Sequence, residues 1–165
     1  MKTIHKILVP TDFSTLSLTA IEYATSVPTF QDAQIYLIHV VDNVPVLAFH
    51  TVDLNSETLL RDSEEKARTE LGRLISTFQA TKRILIPVVR QGEAYKEIVK
   101  FARQEGIDLI IIATHGRTGL VHVLMGSVAE KVVRHSPVPA LTVKPEKMLG
   151  SLLEQDDVEE QLHMR

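Results

Sequence analysis

The stretch DLIIIATHGRTGLVHVLMGSVAEK, Asp108–Lys131, decides how the rest of the chain is read. It opens on Leu109-Ile110-Ile111-Ile112, an unbroken apolar run of the kind that suits a strand of a parallel sheet covered on both faces. The run ends in a glycine-bearing turn, Ala113-Thr114-His115-Gly116-Arg117-Thr118-Gly119, and continues through Leu120–Met125. A helix then begins near Gly126-Ser127 and carries Val128, Val132 and Val133 before Pro137 closes it. Strand, turn and helix in that order make half of a βαβ unit.

Working outward, the same alternation recurs. The strands expected are Ile4–Val9, Gln34–Val40, Arg83–Val89, Asp108–Ala113 and Val138–Val143. Between them lie helical patterns at Ser14–Val27 (Ala20, Ile21, Ala24 and Val27 on one face), Ser56–Phe78 and Glu93–Gln104, with Gly106 as a left-handed stop after the last. The order βαβαβαβαβ argues for α/β architecture: one doubly wound domain, a five-stranded parallel sheet with helices on both faces and right-handed crossovers. A length of 165 residues suits one such domain, set here at residues 1–145, with an acidic tail at 146–165. No internal repeat is visible.

Composition narrows the function classes. Hydrophobic residues make up 44% and charged residues 24%, as expected of a soluble globular chain, and the formal net charge of -3 gives no broad basic face for nucleic acid or an acidic membrane. The absence of cysteine excludes disulfides, thiolate metal sites and a cysteine nucleophile. The apolar run at the start is too short for a signal-peptide core, and no later run approaches a membrane span, so a cytoplasmic location is expected.

The segment that carries chemistry is again Ala113–Lys131. In a doubly wound sheet, ligands sit beyond the carboxyl ends of the strands. The first amides of a helix lack internal partners and present the positive end of the dipole; glycines let an anion approach them, and a serine hydroxyl adds a donor. A phosphate cradle made mostly of backbone is one reading, and a glycine-rich turn with an ordinary serine cap is the other. The segment is neither a Walker loop nor a GxGxxG fingerprint.

A family resemblance bears on that choice. Gly116, the nine residues Arg117–Met125 and then Gly126-Ser127 match the last two elements of the nucleotide motif of the universal stress proteins, Gly-x2-Gly-x9-Gly-Ser/Thr, with Ala113 in place of its first glycine. Val128–Pro139 also resembles the helix and last strand of that family, and Ile7–Ser14 (ILVPTDFS) its opening strand and turn. The resemblance implies a sheet of order 3-2-1-4-5 and ATP, ADP or AMP as ligand, with Mg an optional companion. It implies that Asp12 reaches the ribose beside Pro10 and Thr11, and that Val40 meets the adenine through its backbone. Ile112 and Ala113 would line the adenosine pocket, and Gly116, Gly126, Ser127 and Val128 would hold the phosphates. It further implies a homodimer through the strand Val138–Val143; the downstream protein partner is unknown.

The remaining polar residues read more plainly. His39 falls in an expected strand and is taken as a hydrogen-bonded core histidine. His115, His122 and His135 lack the paired spacing of a zinc helix. Arg117 reads as a solvated loop arginine, and the Glu64-Glu65-Lys66 charges as a solvated face. No spacing ties Ser127 to a His and an acid, so no catalytic residue is expected. The connection Asp42–Asn55 carries apolar residues needing cover and is expected to fold over the site or a partner. The function expected is an adenine-nucleotide-binding regulatory or stress-response protein. The alternatives are a nucleotide-independent dimeric adaptor, kept open by Ala113, and a slow ATPase.

Overall fold

Five parallel strands carry the molecule: β1 (Lys6–Pro10), β2 (Gln34–Val41), β3 (Ile84–Gln91), β4 (Leu109–Ala113) and β5 (Ala140–Val143). Among the described residues four α-helices accompany them: α1 (Thr15–Ser26), α2 (Ser56–Thr77), α3 (Ala94–Gln104) and α4 (Ser127–His135). The computed structural model describes residues 3–42, 56–114 and 125–144. The expected tail at 146–165 and residues 43–55 of the expected cover lie outside them.

The sheet runs β3-β2-β1-β4-β5, with every neighbouring pair parallel. From β1 the chain moves outward through β2 to β3, then returns to lay β4 on the other side of β1. The strand order therefore reverses between β1 and β4, and the crevice of a doubly wound sheet opens at that reversal.

Side-chain alternation sorts the core into two layers. Ile7 and Val9 of β1, Ile35 and Leu37 of β2, and Leu109 and Ile111 of β4 pack with Ala20, Ile21 and Ala24 of α1 and with Ala67 and Leu71 of α2. The intervening residues Leu8, Ile38, Ile110 and Ile112 face the other way, against Ile98, Phe101 and Ala102 of α3 and Ala129 and Val132 of α4. Leu8, Ile21, Leu71, Ile110 and Val132 are completely buried. Each such side chain contributes about 1.5–3 kcal/mol by leaving water.

Local chemistry sets the element ends. Ser14 caps α1 by accepting from the Ser17 N–H, and the helix stops before Pro28, which opens a 3-10 turn over Pro28–Phe30. The Arg83 guanidinium donates to the Thr25 and Val27 carbonyls at 3.0 and 3.2 Å, closing the far end of α1. Arg83 thus lies just outside β3, where the sequence pattern had it inside. Gly106 takes φ +61 after α3, the left-handed stop expected there.

The Asp108 carboxylate accepts from the His5 and Lys6 amides at 3.0 and 3.1 Å, fixing β4 beside β1. β5 begins at Ala140 rather than Val138, because Pro137 and Pro139 have no N–H to give; the Pro139 carbonyl still accepts from Ile110 at 3.0 Å. The outer strands are β3 and β5, and the exposed Pro87 sits within β3. No helix among the described residues is long and apolar enough to cross a membrane.

Candidate functional site

Beyond the carboxyl ends of β1, β2 and β4 lies a cleft of about 620 Å³. Its walls include Pro10, Thr11, Asp12, Val40, Ile112, Ala113, Gly126, Ser127 and Val128. All the described residues expected at the site are therefore brought together; Gly116, like His115, Arg117 and His122, lies outside the described residues.

The β1–α1 turn is tied together by short-range hydrogen bonds. Thr11 donates its N–H to the Ile38 carbonyl at 2.9 Å, continuing the β1–β2 ladder one residue past β1. The buried Thr11 hydroxyl pairs with that of Ser17 at 2.9 Å and accepts the Phe13 N–H at 3.1 Å. Asp12 accepts the Ser14 amide and hydroxyl on Oδ1 at 3.0 and 2.5 Å, the Asx-type closure of a tight turn. Phe13 takes φ +65, a left-handed conformation seldom adopted by a bulky residue.

On the opposite wall, Gly126 is the N-cap of α4 with φ -65 and ψ 150, and Ser127 is the first helical residue. The N-cap is thus a residue without a side chain and Ser127 stands one place further in, so the ordinary serine cap is not what the segment forms. The first intrahelical bond runs from the Glu130 N–H to the Gly126 carbonyl at 2.9 Å. The amides of Ser127, Val128 and Ala129 precede it, at the positive end of the helix dipole.

The Gly126 N–H is itself committed to the Thr114 carbonyl at 2.6 Å, and Thr114 donates to the Val143 carbonyl at 3.0 Å. Two backbone bonds thus lock the start of α4 to the end of β5. Ala113 continues β4 in extended backbone, opposite Val143; positive φ at non-glycine residues occurs, among the described residues, only at Phe13 and Lys82.

Several lining residues were not anticipated. His39, expected in the core, is half-buried and lines the cleft. Its Nδ1 lies 2.8 Å from the Thr11 carbonyl oxygen, and its ring centroid lies 4.3 Å from that of Phe13. Ser63, Lys66, Ala67 and Glu70 of α2 form a further wall, so Lys66, exposed as expected of a solvated face, also stands at the rim of the cleft. Their spacing at one, four, five and eight along a helix was the available signal. Beside the cleft Glu93 pairs with Lys96 at 2.8 Å and with Lys131 of α4 at 3.6 Å. The hydrogen bond from Lys96, helped by Lys131, holds the Glu93 carboxyl below the usual carboxylate range, and the same bond raises Lys96.

Comparison with known proteins gives a consistent picture. The family model described as the universal stress protein family matches residues 3–144. Universal stress protein MJ0531 of Methanocaldococcus jannaschii is 36% identical over 151 residues, covering 86% of this chain and 83% of that protein. The solved structure of MJ0577 from the same organism is similar at 30% identity with a TM-score of 0.76, over 88% of this chain and 99% of that one. A more distant member from Arabidopsis thaliana, solved with AMP bound, shares the fold at 18% identity with a TM-score of 0.59, over 88% of this chain and 98% of its own.

Proposed function

The chain belongs to the universal stress protein family, and from that premise we propose that it is an adenine-nucleotide-binding regulatory protein. The observation that carries the reading is the meeting, in one cleft at the strand-order reversal, of the Asp12 turn with the first turn of α4. A carboxylate on one wall suits a sugar diol, and first-turn helix amides without an intrahelical partner on the other suit phosphate. The AMP bound to the Arabidopsis member supports an adenine nucleotide as the ligand.

In this reading Asp12 accepts from the ribose hydroxyls, and Pro10 and Thr11 shape the turn that presents it. The Val40 backbone meets the adenine edge, while Ile112 and Ala113 line the adenosine pocket. Gly126, Ser127 and Val128 hold the phosphates together with Gly116. Any magnesium would accompany the phosphates of the bound nucleotide. ATP, ADP and AMP share the adenosine contacts and differ in how far they extend along α4.

The active form is a homodimer through β5. As an outer strand β5 leaves one row of backbone donors and acceptors for a second copy to pair with.

Denaturing the purified protein and identifying the released small molecule by mass tests the reading directly, alongside calorimetric titration with ATP and AMP. Release of an adenine nucleotide, or saturable binding of an added one, is expected. A protein that comes empty and stays empty in excess ATP would be a nucleotide-independent adaptor. Multiple ATP turnovers abolished by Ser127→Ala would make it an enzyme instead.

A further inference from the structure

The geometry points to His39 as a positioning residue for the nucleotide site, acting by gripping both chain neighbours of Asp12 at once. This rests on the nucleotide reading above and concerns how its sugar-binding carboxylate is aimed.

On β2 the residues Ile35, Leu37 and Val41 share the face turned toward α2, and all are buried and apolar. His39 is the polar member of the same alternating series, set where that face opens into the cleft. A backbone carbonyl can only accept, so the 2.8 Å contact with Thr11 assigns the proton to Nδ1. That bond holds the residue before Asp12. The residue after Asp12 is Phe13, whose ring lies 4.3 Å from the imidazole at an interplanar angle of 32°.

Phe13 occupies left-handed backbone at φ +65, where an aromatic residue persists only if its surroundings hold it there. The imidazole stack, the bond from the Phe13 N–H to the Thr11 hydroxyl and packing against the apolar core beneath are among the contacts that do so. With both flanking peptides fixed, and Oδ1 held by the Ser14 amide and hydroxyl, the direction of the Asp12 side chain is set before any ligand arrives. Pre-aiming a carboxylate spares the ordering cost of binding and appears in the affinity for the group it contacts.

A merely structural histidine would, on removal, weaken every ligand alike. A histidine that aims Asp12 predicts a selective loss. The experiment is calorimetric titration of the full chain with ATP and with 2′,3′-dideoxy-ATP, which lacks the hydroxyls that Asp12 would accept from. The native protein should prefer ATP by roughly tenfold or more, the range of a hydrogen bond to a charged group.

His39→Phe keeps a ring against Phe13 but has no donor for Thr11; it should lose most of that preference while binding the dideoxy nucleotide within about twofold of native. His39→Asn, whose amide nitrogen can stand near the position of Nδ1, should retain most of the preference. Asp12→Asn should lose it outright, and adding His39→Phe to it should change nothing further. His39→Leu carries the same expectation should the phenylalanine variant fail to fold.

Equal losses for both ligands, or an unchanged preference in His39→Phe, would overturn the role assigned to His39 while leaving the nucleotide site standing. A native protein that binds neither ligand overturns the site reading and the positioning role together.

Discussion

At the scale of single residues, the cradle turns on Gly126. With φ -65 this position does not require glycine for its backbone, and in the proposed site a side chain there would meet the ligand. Gly126→Val should keep the native circular dichroism spectrum and melting behaviour while nucleotide binding, followed by calorimetry, falls below detection. Ser127→Ala removes one hydroxyl donor and should cost about 1.5–3 kcal/mol of binding. Ala113 poses the opposite question, because it replaces a glycine of the family motif. Its extended backbone means that glycine is not needed there for a left-handed turn, and in the proposed site the position would control close approach of the ligand. Ala113→Gly should therefore leave nucleotide affinity unchanged or modestly tighter. The same change loosens a buried strand end and should lower stability by roughly 0.5–1 kcal/mol, read as a small drop in melting temperature.

At the scale of elements, Arg83 shows how one side chain joins distant parts of the chain. Its guanidinium satisfies two carbonyls at the end of α1 from just outside β3, and it does so from a partly buried position. Arg83→Met keeps the aliphatic stem and removes both bonds, and should destabilise the protein by about 1–3 kcal/mol in urea unfolding. That capping role was not legible in the sequence, because it depends on where β3 lies relative to α1. The strands were legible: Leu109–Ile112 and the run in β1 are apolar at every position, which only a sheet covered on both faces explains. The element ends were less so. β5 shortens by two residues because two prolines lack donors, and the reading of Val138–Val143 weighed β-branching over that loss. At the site, Asp12 and Gly126-Ser127 could be located because each follows a strand or opens a helix. His39 could not be separated from a core histidine, since its partner is the carbonyl of Thr11, 28 residues away. Sequence spacing carries no trace of such a bond.

At the scale of the whole molecule, the proposed pairing through β5 predicts a mass of two chains in solution at micromolar concentration, measurable by light scattering. A sheet has two outer strands, and here they are not equivalent. Pro87 stands in the middle of β3 opposite Leu37, so its ring nitrogen cannot be one that β2 needs as a donor; the missing N–H falls on the outward side. Pro87→Thr should restore that donor, and light scattering of the variant at raised concentration should reveal species beyond two chains. If the variant remains at the native mass, some other feature of β3 closes it. On the proposed pairing, each molecule would have a single adhesive flank, β5, with β3 closed by Pro87. A subunit with two such flanks polymerises without limit, whereas one with a single flank is its own chain terminator, so growth ends at the first encounter and raising the concentration lengthens nothing.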